Sequence, residues 1–238
     1  MTTDRLELLL AAGLVLVYLI DSLRLLGHRE ALLERIAEGR WRISFGAVRF
    51  ELLGRRPALP NPLRPDRACR VVDWSIGTGN AEASPTIAWP AAGRPLGALC
   101  LVLFAIVVVL APVLLVAGQG LWFAAAIGAG YLVAIAASTW LVVRAAEFGL
   151  ARRSAVGIGV IGVICLPCAP NLLRAAGAGP KLSIPLPAFA DASAGAAERR
   201  GFRARFAAAL RQQLWQGTGD TRQDALIQAI LTDCEGRS

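Results

Sequence analysis

At 238 residues the chain has the length of one or two soluble domains, but an apolar content of 55 % and a mean hydropathy of +0.54 exclude an ordinary soluble fold. The forty-eight residues from Leu96 to Val143 contain no Asp, Glu, Lys, Arg or His, whereas one bilayer-crossing helix needs only about 20 apolar residues. The net charge of +8 is segregated into the flanks of such runs, which speaks for membrane topology and against nucleic-acid binding. A single histidine, His28, and five cysteines without framework spacing leave no metal-binding signature. Arginine outnumbers lysine, whose one representative is Lys181, and together with abundant alanine and glycine this points to a GC-rich bacterial genome.

The first apolar stretch, Leu6 to Ile20, lacks the basic leader and small-residue cleavage site of a secretory signal. Apolar positions continue at Leu23, Leu25, Leu26, Leu32, Leu33 and Ile36, and Gly39 stands where a helix would stop. The spacing predicts one helix over residues 3–38, a membrane anchor that leaves the bilayer as an amphipathic stem. Residues 40–95 hold nine arginines. Trp41, Ile43 and Phe45 alternate with polar residues, as do Val48, Phe50 and Leu52, and Gly46 between the runs predicts a β-hairpin. Pro57, Pro60, Pro62 and Pro65 force an extended passage, and Arg70 to Ile76 reads as a third strand.

Leu96 to Ala117 is a clear span, with Pro112 positioned to kink it; Gly118-Gln119-Gly120 turns the chain, and Leu121 to Val143 returns. Trp122 and Trp140 bracket the return helix as an interfacial aromatic belt would. Ala126, Gly130, Ala134 and Ser138 form a small-residue stripe that lets helix backbones approach, within the chain or between copies. The fourth run, Ala155 to Leu173, carries Pro167 and Pro170, so it either spans with a break near Leu166 or dips in and returns. In the tail, Phe202, Phe206, Leu210 and Leu214 recur every four residues, and Thr221 with Asp224 starts a second helix carrying Leu226, Ile227, Ile230 and Leu231.

These elements describe an all-α integral membrane protein of about four transmembrane helices, with a small β-hairpin-containing polar insertion and a C-terminal helical hairpin. Its parts are an anchor and stem (1–38), a polar connector (39–95), a bundle (96–174, with spans 96–117, 121–143 and 155–173) and a tail (175–238). Twelve arginines between Asp21 and Pro95, with Arg144, Arg152 and Arg153, place connector and loop in the cytoplasm of a multi-pass inner-membrane protein.

The sharpest chemical motif is Cys165-Leu-Pro-Cys168, whose spacing permits a disulfide. No second cysteine pair is evident to relay electrons and only Arg174 lies nearby, so the pair is expected to pack as small apolar groups. No catalytic residue, cofactor or metal follows from the sequence. The leading expectation is a non-catalytic membrane subunit or scaffold that docks a protein partner through connector and tail, with arginines on anionic lipid headgroups. The alternative is a membrane thiol–disulfide oxidoreductase using Cys165 and Cys168.

Overall fold

The computed structural model describes residues 3–37, 40–47, 50–74, 90–179, 182–184, 196–216, 225, 227–229 and 231–232. The chain divides into two units, each assembled from segments distant in sequence. One comprises Met1–Leu23, Leu59–Arg70 and Ala88–Pro180; the other comprises Arg24–Ala58, Val71–Ile87 and Lys181–Ser238.

The first unit is a helical bundle of α1 (Thr3–Ser22), α2 (Gly93–Phe104), α3 (Ala111–Val116), α4 (Gly120–Val143), α5 (Arg152–Ile164) and α6 (Ala169–Gly177). A π-helical stretch, Ala105–Leu110, joins α2 to α3. Pro112 lacks an N–H and crowds the preceding turn, and the wider π turn just ahead of it lets the rod continue instead of breaking. Gly93–Val116 and α4 are both long and apolar enough to cross a membrane, which supports membrane association. Only 39 % and 33 % of their apolar windows are buried, unlike the core helices of a soluble domain. Ala134 and Ala137 are fully buried beside Leu103, Val107 and Leu141, while Leu132, Val143, Val113 and Ile164 stand open. In water such a surface would aggregate.

Among the described residues two helices, not four, meet the length and composition of a span. The expected fourth span is two short helices: α5 ends at Ile164, residues 165–168 turn, and α6 starts at Ala169. Thirteen residues in α5 reach only about 20 Å at 1.5 Å each, short of a hydrocarbon core of about 30 Å. α1, with Asp4, Arg5, Glu7 and Asp21, is likewise too charged to qualify by composition.

The first helix also stops at Ser22, where a continuous helix to Glu38 was expected. Arg24–Leu26 (β1) and Glu30–Ala37 (β2) follow as strands. The sheet order β3-β2-β5-β6, with β3 Arg40–Ser44, β5 Cys69–Trp74 and β6 Leu182–Ile184, makes β2 an inner strand. Ala31, Leu32, Leu33 and Glu34 are all buried, and a strand buried on both faces loses the alternation that would distinguish it from a helix. β3 pairs antiparallel with β2, Leu33 opposite Ile43; of the expected hairpin partner, Val48 and Arg49 lie outside the described residues, and Phe50 to Leu52 form no strand with β3. The tight turn falls instead at Leu53-Gly54, both at positive φ, closed by reciprocal bonds between Leu52 and Arg55. β1 pairs with β4 (Arg56–Ala58) as a separate ribbon. Arg56 is almost wholly buried there, donating to the carbonyls of Gly27 (3.2 Å) and His28 (2.8 Å). Burial pulls its pKa below the usual arginine value, against the opposing pull of Glu51 and Glu30.

β6 joins the sheet by parallel pairing with β5, Val72 opposite Leu182 and Trp74 opposite Ile184. Helix α7 (Ala196–Gln216) completes the second unit's core, its Phe202, Phe206 and Leu210 meeting Leu33, Trp41, Ile43, Phe45 and Val72. The Phe206 ring lies 5.4 Å from Phe202 and 5.8 Å from Phe45. Most of the expected second tail helix lies outside the described residues, though Ile227 and Leu231 bury in this same core.

Candidate functional site

The candidate site is the α5–α6 hairpin and the groups that hold it. Its position follows from three close approaches. Leu166, at the turn, reaches the Gly130 backbone: a β-carbon added there would lie 3.2 Å from a Leu166 methyl and 2.9 Å from Val107. Gly130 is the eleventh of the twenty-four residues of α4, so the hairpin tip is level with the middle of that helix. Gly177, at the far end of α6, packs instead on Leu96 at the start of α2 and on Phe148 after α4. The pair therefore enters the bundle from the Arg144–Arg152 end, turns at half height, and comes back.

Each sequence-derived stripe has a place in this arrangement. Ala126, Gly130, Ala134 and Ser138 are buried within the chain's own bundle. The Ser138 hydroxyl donates to the Gly159 carbonyl of α5 at 3.3 Å, and a β-carbon at Gly159 would meet Ser138 Cβ at 3.0 Å. Trp122 is exposed, whereas Trp140 is docked, its Nε1 donating to the Ala92 carbonyl at 3.1 Å. The Arg144 guanidinium lies 5.3 Å from the Trp140 ring and also pairs with Glu147 at 2.6 Å.

Cys165 and Cys168 were expected to pack as separate small groups; here they are joined as a disulfide across the tip, with Cα atoms 5.4 Å apart. That separation lies in the usual disulfide range of about 4.4–6.8 Å. Both residues are half-buried, and theirs is the one disulfide among the described residues. Cys69 and Cys100 are buried elsewhere in the unit.

Two side chains of α6, Asn171 in its first turn and Arg174 in its last, carry its polar contacts. Asn171, 1 % exposed, donates to the Ser22 hydroxyl at 2.7 Å and the Tyr18 carbonyl at 3.1 Å. Arg174, 4 % exposed, donates through Nε to the Arg67 carbonyl at 2.6 Å and through a terminal nitrogen to the Asn61 carbonyl at 3.2 Å. The Tyr18 hydroxyl donates to the Pro62 carbonyl. Hydrogen bonds from a charged donor are worth about 1.5–3 kcal/mol each, so Arg174 ties the hairpin firmly to residues 59–70, while the neutral amide of Asn171 ties it to α1. Asn171 and Arg174 are conspicuous in the sequence, but their acceptors are mostly backbone carbonyls, which leave no sequence signal.

Chemically, the arrangement is a clamped hairpin with a disulfide at its tip. Among the described residues no three His, Cys, Asp or Glu gather as metal ligands. No protein-family model matches the chain, and comparison with curated proteins and with solved structures finds no match.

Proposed function

We propose that this chain is a non-catalytic scaffold of a bacterial inner membrane, holding a basic cytoplasmic unit for a protein partner to dock on. The observation that carries the reading is the second unit's shared core. Its strands come from the connector and its main helix from the tail, on either side of the bundle sequence. Segments so combined must lie on one side of a membrane. That requirement fits a fourth run that dips in and returns, with Leu166 at half height and Gly177 back beside Leu96. It also fits the basic residues found in both segments. In this topology α1, Gly93–Val116 and α4 cross, α1 lying along α3 with its charges near its ends. The bundle's task is then to join the two halves of the cytoplasmic unit and fix it at the surface.

Reporter fusions at Gly79 and Gly236 should both give cytoplasmic signals, and one at Gln119 a periplasmic signal. Signals of opposite sidedness from Gly79 and Gly236 would refute the shared-unit topology.

The paired cysteines favour a second reading, a membrane thiol–disulfide oxidoreductase, because the disulfide is formed at a surface that lipid-soluble oxidants could reach. Maleimide alkylation before and after reduction should detect the disulfide in native membranes under either reading. The double replacement Cys165→Ala with Cys168→Ala separates them. A scaffold so altered should still complement a strain lacking the chain, since α6 keeps its Asn171 and Arg174 clamps. Loss of complementation with the second unit still folded would instead establish the redox reading.

A further inference from the structure

Between α4 and α5 runs a groove of about 510 Å³, open along its outer side. Its floor is smooth, because Ser138 is drawn down onto the Gly159 carbonyl and Gly159 carries no side chain. Val143, Val156 and Val160 form its walls and Ile164 its far end, all of them apolar and exposed. Its volume is that of a small-molecule site, typically about 300–1,000 Å³. One charged residue lines it: Arg152, at the first turn of α5. Unlike Arg144, which is engaged by Glu147 and Trp140, Arg152 is exposed and has no ion pair among the described residues. No acidic residue stands in the first turn of α5 to neutralise it.

We infer that this groove binds one anionic phospholipid, its acyl chain along α5 and its phosphate on Arg152. The inference rests on the membrane topology proposed above. Three features select the occupant. First, the groove's one charge stands at one end and the rest of its lining is apolar save for Ser138, whose hydroxyl is turned onto the Gly159 carbonyl, and Thr139, which suits an amphiphile with a single charged head. Second, the charge at that end is positive and has no acidic partner among the described residues. Third, the length matches: because α5 stops at half height, its thirteen residues run about 20 Å, near the depth of one leaflet with its headgroup region. An apolar groove crossing the whole bilayer would suit no single lipid, and one without Arg152 would not distinguish headgroups.

The full chain, purified in mild detergent, would be titrated with phosphatidylglycerol, with phosphatidylcholine of the same acyl chains, or with glycerol 3-phosphate, and bound molecules counted by native mass spectrometry. Phosphatidylglycerol should bind one per chain and about fivefold tighter than phosphatidylcholine, the preference one surface arginine supplies. Arg152→Gln should erase that preference and Arg153→Gln, outside the groove, should leave it. Val160→Trp, at a site exposed enough to accept the ring, should weaken both lipids by filling the channel. Equal binding of the two lipids by the parent, or an unchanged preference in Arg152→Gln, would overturn the inference. Binding of glycerol 3-phosphate as tight as that of the lipid would overturn it too, leaving an anion site without a chain. Alkaline carbonate washing tests the underlying topology separately: a chain released from membranes refutes the membrane reading, whereas a retained chain without lipid preference refutes only the groove.

Discussion

Gly130→Leu should lower the thermal stability of the detergent-solubilised protein by the equivalent of about 2–3 kcal/mol, the usual penalty for overfilling a packed interior. The first added carbon already meets Val107 at 2.9 Å and Leu166 at 3.2 Å, and three more carbons follow it. Relief requires the α4 backbone to withdraw from the π-helical stretch, or Leu166 and the hairpin tip to be expelled. Two controls isolate the cause. Gly128→Leu makes the same chemical change two residues away, where nothing lies within 4 Å, and helix propensity alone would make it neutral or stabilising by about 0.5–1 kcal/mol. Leu132→Ala removes a side chain that is 71 % exposed, and should shift stability by less than about 0.5 kcal/mol. Equal melting of Gly130→Leu and the parent would mean that the small-residue stripe does not face the bundle interior.

That stripe was legible in the sequence because small residues at a spacing of four have few explanations on a long apolar helix. The two long helices were legible for a similar reason, since forty-eight residues without a charge leave little choice. The stripe of Phe202, Phe206, Leu210 and Leu214 likewise marked α7 by period alone. Three things were hidden. β2 was read as helix because consecutive residues Ala31 to Glu34 are all buried, so the apolar Ala31, Leu32 and Leu33 run together without the alternation that marks a strand. The hairpin around Gly46 was misassigned because β3 finds its partner upstream, and alternation identifies a strand without naming its neighbour. Pro167 and Pro170 signalled a break but not its direction. The return of α6 depends on Leu166 fitting over Gly130 and Gly177 over Leu96, contacts between positions dozens of residues apart. The Cys165–Cys168 bond followed the same logic: the spacing allowed it, and the turn geometry decided it.

Phe206→Ala should be the most damaging change in the second unit, destabilising it by about 3–5 kcal/mol, the usual loss for a buried phenylalanine. Phe206 is 1 % exposed, and its ring is shared between the tail, through Phe202, and the connector strands, through Phe45. Removing it opens a cavity where the two halves meet, and nothing short of moving α7 can refill it. Domains of ordinary stability retain only about 5–15 kcal/mol in total, so the second unit would stand near its unfolding threshold while the bundle kept its own core. Limited proteolysis of the detergent-solubilised protein should therefore cut the tail and the connector together in Phe206→Ala, leaving a resistant fragment that contains α2 to α6. Phe50→Ala is the matched control, since Phe50 belongs to the same unit but is 59 % exposed, and it should digest like the parent. Digestion of the tail alone, with the connector strands still protected, would show that the two segments do not depend on one another. The scaffold reading would then lose its central support, because the bundle would no longer be needed to close a single unit from two remote pieces of chain.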